Sequence, residues 1–556
     1  MSLDSGNSSL NVTNAAQIVA LNASGTTGGT LTATYNAATV AGTADVQAVS
    51  LTNTANTTIN ANGIETVNIT AVGANTAAQV TGNGITNVNV GGAGSIALAN
   101  TLAATTTTFN ASANTGGVSA IFAAGGNVTA TGGSSNDSFN FGTGLTANAA
   151  GAPGDVVNGG AGFDTVRVTS AGNYSAATAA APFNGLTSIE RVSFDGVNGA
   201  TVNGATFTNT GITNIEFNTS GVVAVPGNAG PDGIAGNGDD VAAIVADPTV
   251  GADTIDNAGS ARTYEFGTAN AGAATFNLNG TSTTLNIGLL GTLGTAAIND
   301  GLDANVGALN VNLSATAPAG SLATININSM GDLADAVAGV GGTFNDVGTI
   351  TAVAGSTINI SGAGNLDLVG LTNRGTINAS TSTGNLVIEG SAISTTNTAA
   401  VSGGDTITLG AGIDIVQFGS GAASGVANTT NAATTALGLQ FDVVNSFNAA
   451  VGGDVLDFTG IAGDADYTAL SATAQASINA LSGAAATVRA AADIAVANTA
   501  QDGVVAGEWT AFTFQGQTYA VYDAADGAGE VFVDADDLLV QLTGVTVANL
   551  GDANFA

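Results

Sequence analysis

The residues best placed to do chemistry are aspartates set among glycines at a nine-residue interval. Gly159-Gly-Ala-Gly-Phe-Asp-Thr-Val-Arg167 fits the nonapeptide G-G-x-G-x-D-x-U-x, in which U is a large apolar residue. Stepping back by nines gives Ala150-Gly-Ala-Pro-Gly-Asp-Val-Val-Asn158, Phe141-Gly-Thr-Gly-Leu-Thr-Ala-Asn-Ala149 and Gly132-Gly-Ser-Ser-Asn-Asp-Ser-Phe-Asn140. Nine residues make one short strand and one tight glycine loop, so residues 18 apart are expected on one edge. That places Asp137 with Asp155, and Thr146 opposite Asp164 on the other edge. Stacked carboxylates repel unless a cation sits between the loops. Calcium takes about six to eight oxygens, which Asp137, Asp155 and Asp164 would supply together with backbone carbonyls at Gly133, Gly160 and Gly162. Glycine suits those corners because a Cβ would obstruct converging carbonyls. A metal-free Gly-Asp turn is the alternative.

A second patch reads Ala400-Val-Ser-Gly-Gly-Asp-Thr-Ile-Thr408, then Leu409-Gly-Ala-Gly-Ile-Asp-Ile-Val-Gln417. Asp405 and Asp414 are expected on opposite edges, each without an aspartate partner 18 residues away, with Gly410 and Gly412 as corner glycines. The loop 226–240 gathers Asp232, Asp239 and Asp240 among glycines and suits either a bound cation or an acidic loop. Asp523-Ala-Ala-Asp526-Gly-Ala-Gly with Glu530 loosely resembles a calcium loop, but a β-hairpin turn is the preferred reading.

Composition narrows the chemistry further. There is no Cys, His or Lys, which removes thiolate and imidazole ligands and histidine-based general base catalysis. The five basic residues are Arg167, Arg191, Arg262, Arg374 and Arg489, against 40 acids, for a net charge of −35. Nucleic acid and anionic membrane surfaces are therefore poor partners, and divalent cations good ones. No run of apolar residues is long enough to span a membrane; the Ala-rich stretch at 484–498 is interrupted by Arg489 and Asp493. Met1 to Leu21 lacks the basic and apolar regions of a cleavable secretory leader.

The elements that must hold these aspartates repeat along the chain. Gly63-Ile-Glu-Thr-Val-Asn-Ile69 recurs as Gly84-Ile-Thr-Asn-Val-Asn-Val90; Val67, Val88 and Phe109 are 21 residues apart, and Val128 follows after 19. The pattern returns at Gly185-Leu-Thr-Ser-Ile-Glu-Arg-Val192 and Gly211-Ile-Thr-Asn-Ile-Glu-Phe217. Thr357-Ile-Asn-Ile360 reappears at Thr376, and Asn365-Leu-Asp-Leu368 at Asn385. Short alternating strands at near-constant spacing predict an all-β chain, a parallel β-solenoid, with antiparallel sandwich modules as the alternative. Inward positions take Val, Ile, Leu or Phe, and outward Thr and Asn form ladders. Between Asp464 and Thr499 the pattern, with Leu470, Ile478, Leu481, Val488 and Ile494, predicts one or two helices. Alternation then resumes in Phe512-Thr-Phe514, Tyr519-Ala-Val-Tyr522 and Leu538-Leu-Val-Gln-Leu542.

These residues resemble the repeat-in-toxin (RTX) calcium-binding family, and more closely surface-layer proteins of the Caulobacter type. The likeness rests on the nonapeptides at 132–167 followed by Phe183-Asn-Gly-Leu-Thr-Ser-Ile-Glu-Arg-Val192, and on the Gly63-Ile-Glu-Thr-Val-Asn repeat. It rests also on Phe441-Asp-Val-Val-Asn-Ser-Phe447, Gly453-Asp-Val-Leu-Asp-Phe458, Phe514-Gln-Gly-Gln-Thr-Tyr-Ala-Val-Tyr-Asp523, Leu542-Thr-Gly-Val545 and Ala553-Asn-Phe-Ala556, which are similar to the family's uncleaved type I secretion signal. The resemblance implies strand repeats at 1–131, an RTX β-roll at 132–167, solenoid at 168–399, a second RTX patch at 400–427, and a small C-terminal mixed α/β cap domain at 428–556. It further implies several bound calcium ions and a secreted, cell-surface structural protein of a Gram-negative bacterium rather than an enzyme. The partners implied are other copies in a lattice or filament, the type I secretion apparatus, and cell-surface polysaccharide or lipopolysaccharide. A helical lipopolysaccharide-gripping domain opens the family's best-known member; here strand repeats begin almost at once. A matrix fibre or adhesin, a secreted polysaccharide-active β-helix enzyme working through carboxylates, and ice binding by Thr ladders are the competing readings.

Overall fold

Alternation of small apolar residues with Thr, Asn and Ser favours extended strands, because one face can be filled while the other stays hydrated. A computed structural model describes residues 1–123, 126–143, 145, 154–169, 182–195, 201–203, 211–218, 253–258, 260–267, 273–278, 280–290, 305–306, 308–330, 344–353, 355–368, 375–389, 405–418, 442–457, 467–483, 487–499, 508–523 and 538–555. The chain is mostly β and built on parallel sheets. It divides into two units, Met1–Asn279 and Gly280–Ala556.

In the first unit successive strands alternate between two parallel sheets up to Arg191–Asp195, and beyond it between the second of these and a third made of Thr201–Asn203, Asp253–Ala258 and Ala273–Leu278. One sheet is ordered Ser2–Gly6, Leu21–Thr26, Val46–Thr52, Thr66–Val72, Asn87–Gly92, Thr108–Asn114, Thr129–Thr131, Val156–Asn158 and Leu186–Thr187. The second begins at Leu10–Ala15 and includes Ala74–Thr81, Ser95–Thr101, Val118–Ile121, Ser138–Asn140, Thr165–Val168, Arg191–Asp195, Asn214–Asn218 and Thr263–Phe266. Each two-strand repeat therefore lies one strand spacing beyond the last.

The register follows the hydrophobic positions. Val67 faces Val88 and Val88 faces Phe109, all fully buried. The next inward residue is Ala130 rather than Val128, because the spacing of 21 is kept and the strand begins at Thr129. Aligning Gly185 with Gly211 also misses the register by three residues. Val192 faces Ile215 in the second sheet, while Leu186 faces Val157 in the first, across a corner at Ser188 with φ +48°. Larger rings fill the later repeats: Phe194, Phe217 and Phe266 are in register and stack at 5.8 Å between centroids.

The second unit repeats the scheme. Thr284–Leu290, Thr324–Met330, Thr357–Gly362, Thr376–Ser382, Thr406–Thr408, Asp442–Asn445 and Leu538–Thr543 form one parallel run. Asn305–Val306, Asn345–Val347, Leu366–Leu368, Leu386–Glu389, Ile415–Gln417 and Val455–Asp457 form another. Ile358 faces Ile377 and Leu366 faces Leu386, as the sequence repeats predict.

The chain changes character after 467. Helix α1, Ala472–Asn479, starts at Ser471, whose hydroxyl accepts from the Ala474 N–H; helix α2 spans Val488–Thr499. Ile478 and Val488 are buried against Phe512, Val521 and Leu539, with Leu470, Leu481 and Ile494 packed around them. Glu508–Phe514 and Gln517–Asp523 form an antiparallel hairpin, closed at Gln515-Gly516 with φ of +51° and +80°. Positive φ at both positions suits a two-residue turn that matches the strand twist. Leu538–Thr543 joins the hairpin antiparallel and Asp442–Asn445 parallel. Asp526 and Glu530 lie outside the described residues. Among the described residues no helix is long and apolar enough to cross a membrane.

Phe109 packs edge-on to Phe122 and Phe139 and is fully buried, whereas Thr70 is on the opposite, exposed side of its strand. Phe109→Ala is expected to cost about 3–5 kcal/mol in urea unfolding, and Thr70→Ala no more than about 0.5 kcal/mol. Equal losses would contradict the register.

Candidate functional site

Most of the aspartates picked out by spacing occupy one structural position, the residue just before a strand. Asp137, Asp155, Asp164, Asp405 and Asp414 immediately precede Ser138–Asn140, Val156–Asn158, Thr165–Val168, Thr406–Thr408 and Ile415–Gln417, and all five are buried. Two residues on stands a fully buried apolar side chain: Phe139, Val157, Val166, Ile407 and Val416. That anchor turns the preceding carboxylate back across the neighbouring repeat.

The carboxylates bond backbone N–H groups one repeat earlier. Val118 N donates to Asp137 Oδ1 at 2.7 Å, Asp137 N to Asp164 Oδ1 at 2.8 Å, and Asp164 N to Glu190 Oε2 at 2.8 Å. On the other sheet Val128 N donates to Asp155 Oδ1 at 2.8 Å. In the second unit Gly375 N donates to Asp405 Oδ1 and Asp405 N to Asp442 Oδ1; Leu386 N donates to Asp414 Oδ1 and Asp414 N to Asp454 Oδ1. Hydrogen bonds to charged groups contribute about 1.5–3 kcal/mol each. The glycine four residues before the aspartate adds a second donor in two loops, Gly133 N to Asp137 Oδ2 and Gly410 N to Asp414 Oδ2.

The edge assignment from nine-residue arithmetic is corrected. Asp137 shares its edge with Asp164, 27 residues on, and Asp155 stands at the other sheet. The repeat here spans three nonapeptides rather than two, since no described residue between Asn140 and Val156 is in a strand. The unit at 141–149 carries Thr146 where a capping carboxylate would stand; Thr146 itself lies outside the described residues. Asp405 and Asp414 do lie at different sheets, but each has an aspartate partner, Asp442 at 37 residues and Asp454 at 40. Asp232, Asp239 and Asp240 lie outside the described residues.

The corner glycines make room for oxygen. A Cβ on Gly132 would lie 2.0 Å from the Gly159 carbonyl oxygen and 2.3 Å from Asp137 Oδ2. On Gly159 it would lie 1.9 Å from the Ser188 carbonyl oxygen and 2.3 Å from Asp164 Oδ2. Carbonyl and carboxylate are both acceptors, so each cradle needs a donor or a cation; at Gly132 the Gly133 N–H meets Asp137 Oδ2. Asp164 Oδ2 is buried and has no hydrogen-bond partner. Gly160 and Gly162, at φ +100° and +136°, pass close to the backbone at Gly133 and Ser135, which a side chain would prevent. Gly133 faces the Asn114 carbonyl, and Gly410 and Gly412 face those of Ser382 and Gly384. Among the described residues no three acidic side chains form a ready-made metal group. A cation here would depend on backbone carbonyls as much as on carboxylates, as hard oxygen-seeking ions allow.

Burial raises these acids. Asp137 is pushed up to about 6 by burial, against the N–H bonds from Gly133 and Val118. Asp164 reaches about 7 through burial, with the neighbouring charges of Asp137 and Glu190 adding to it against the Asp137 N–H bond. Asp414 reaches about 7 through burial and the charge of Asp454.

A second charged cluster lies in the first unit. Arg167 pairs with Asp195 at 3.2 Å and Arg191 with Glu265 at 2.7 Å, and all but the largely covered Arg167 are buried. Ser193 donates to Asp195 and Asn214 to Glu265. Burial would raise Glu216, but Arg167 and Arg191 outweigh it and hold its carboxyl low. Two of the five cations thus pin four successive strands in register.

Spacing alone missed Gly132, Gly159, Ser188, Glu190, Asp442 and Asp454. A usable signal exists for the aspartates: Asp442-Val-Val444 and Asp454-Val-Leu456 carry the same acid and buried apolar pair, two apart, as Asp164-Thr-Val166. No protein-family model matches the chain, and no curated protein matches it.

Because the raised acids take up protons more readily when folded, their stabilising contribution is complete below about pH 4 and is lost as pH rises through about 6 to 7. In chelator, the folded fraction by circular dichroism is expected to fall between pH 5 and 8, and less steeply in Asp164→Asn. A variant profile as steep as the wild type would contradict this.

Proposed function

We propose that the chain is a secreted, calcium-dependent structural protein, a parallel β-solenoid that assembles with copies of itself into a surface layer outside a Gram-negative cell. The observation that carries the reading is the pair of cradles at Gly132 and Gly159, above all the buried Asp164 Oδ2 without a hydrogen-bond partner. Asp164 Oδ2 with the Ser188 carbonyl, and Asp137 Oδ2 with the Gly159 carbonyl, would hold the ion. Bound calcium would supply positive charge where burial otherwise favours protonated carboxylates. Asp405 with Asp442, and Asp414 with Asp454, are the corresponding pairs in the second unit, since each combines two buried acids at one strand edge.

The chain's charge supports the same reading. A net charge of −35 opposes compaction, and a cation that binds only the folded state offsets it. At low cytosolic calcium the acidic corners would stay unpaired, leaving the chain loose enough to thread a type I exporter. External calcium would then draw it into the folded form. The sequence likeness to a secretion signal at 441–556 and to RTX repeats at 132–167 and 400–417 supports that route. The helix–hairpin region would serve as a small mixed α/β cap, covering the apolar end of the strand run through Phe512, Val521 and Leu539. A structural role is favoured over a catalytic one because the raised acids are buried and engaged by backbone N–H donors. Cell-surface polysaccharide or lipopolysaccharide is the proposed support for the lattice.

Protein dialysed against EGTA and then given millimolar calcium is expected to gain β-sheet circular dichroism and form ordered sheets or filaments by negative-stain microscopy. Asp164→Asn should shift the calcium midpoint up about tenfold, about 1.4 kcal/mol. Soluble monomers at every calcium level would sink the proposal.

A further inference from the structure

The second unit carries an outward face whose chemistry neither the aspartate edges nor the core uses. Its strands read Thr-Leu-Asn-Ile, Thr-Ile-Asn-Ile, Thr-Ile-Asn-Ile, Thr-Ile-Asn-Ala and Thr-Ile-Thr. The pairing sets Thr284, Thr324, Thr357, Thr376 and Thr406 in one row across the sheet. Asn286, Asn326, Asn359 and Asn378 form a parallel row. The intervening Leu285, Ile325, Ile358, Ile377 and Ile407 are buried, so both polar rows stand on the solvent side, part-exposed.

The asparagines are linked head to tail: Asn326 Nδ2 donates to Asn286 Oδ1, and Asn359 Nδ2 to Asn326 Oδ1, both at 2.8 Å. Asn326 thus both donates and accepts, and a carboxamide has two amide protons and two lone pairs with which to do so. The threonine hydroxyls likewise both donate and accept. No acid or base occurs in these five strands, in a chain of net charge −35.

A surface of this kind is poorly suited to a basic partner, which would bind the acids elsewhere, and well suited to its own copy. Every group can meet its like as donor to acceptor, and a second copy presents the same strand repeat of about 4.8 Å. Neutrality matters because the chain repels itself, and charges more than about 8 Å away are screened at physiological salt. Uncharged strands with Asn ladders and no proline also have the composition of dry sheet-to-sheet contacts.

We infer that this threonine and asparagine face is a contact surface between copies of the chain, its occupant the same face of a second molecule. The inference rests on the assembly reading above and gives that assembly a location. Five strands at about 4.8 Å by three outward positions at about 7 Å make roughly 500 Å² per partner, short of the about 800 Å² that a stable pair buries. The contact is therefore weak and reversible alone, and gains strength by repetition within an assembly.

Thr357 is the middle of its row, so in a two-fold face-to-face contact it lies near its own counterpart. Thr357→Asp and Thr357→Lys place a single charge there without touching the core. Self-association is read by sedimentation velocity at millimolar calcium, with folding checked by circular dichroism. Each variant alone is expected to associate at least about tenfold more weakly than wild type, and an equimolar mixture of the two should restore association. Variants that associate like wild type would overturn the face while leaving assembly intact. Weakened variants whose mixture stays weak would show that the face meets a different surface, which overturns the same-face contact. Displacement of association by a neutral oligosaccharide would reassign the face to glycan. A wild-type protein that never associates would instead remove the assembly reading itself.

Discussion

Parallel, in-register stacking places equivalent residues of successive repeats about 4.8 Å apart, and every other feature of this chain answers to that constraint. An apolar residue stacked on itself gains; Phe194, Phe217 and Phe266 do so. A carboxylate stacked on itself is penalised unless something of opposite character lies between. The chain meets the problem by sending each pre-strand carboxylate to a backbone N–H of the preceding repeat, as Asp164 Oδ1 does with Asp137 N. One carboxylate oxygen is thereby satisfied by the protein. The other, in Asp164, is not.

That remaining oxygen is where the proposed cation enters. Burial pushes Asp164 and Asp414 up to about 7, so near neutral pH the metal-free fold is poised between binding a proton and tolerating a buried charge. A hard cation beside the carboxylate and the adjacent carbonyl would remove the choice. The Arg167, Asp195, Arg191 and Glu265 cluster is a contrasting solution, in which the chain spends two of its five arginines on neighbouring strands. Ion pairs of this kind do more for specificity of register than for net stability.

Much of the β architecture was legible because alternation and spacing are local. Val67, Val88 and Phe109, or Leu366 and Leu386, sit in register as their intervals predict. The helices were legible from Ile478 and Val488, whose burial against the hairpin replaces strand alternation. Edges were less legible, because they depend on how many residues a repeat consumes. Nine-residue counting assumed that every nonapeptide makes a strand; the unit at 141–149 adds none among its described residues, and Asp155 moved to the other sheet. Asp442 and Asp454 were hidden by long intervals, although the apolar residue two positions after each marks them as equivalent to Asp405 and Asp414. The carbonyl of Ser188 carries no sequence signature at all.

An acid edge that would respond to calcium and a neutral face that would meet its own copy lie on one chain, so that the ion supply would decide when the chain becomes solid. The oxygens around Gly159 are where calcium dependence would be decided. The most direct measurement is an anomalous difference map from crystals of the protein grown in calcium. A peak between Asp164 Oδ2 and the Ser188 carbonyl, matched by one between Asp137 Oδ2 and the Gly159 carbonyl, is the predicted result. Both positions without a peak, with the carboxylates hydrogen-bonded to water or protein alone, would contradict it.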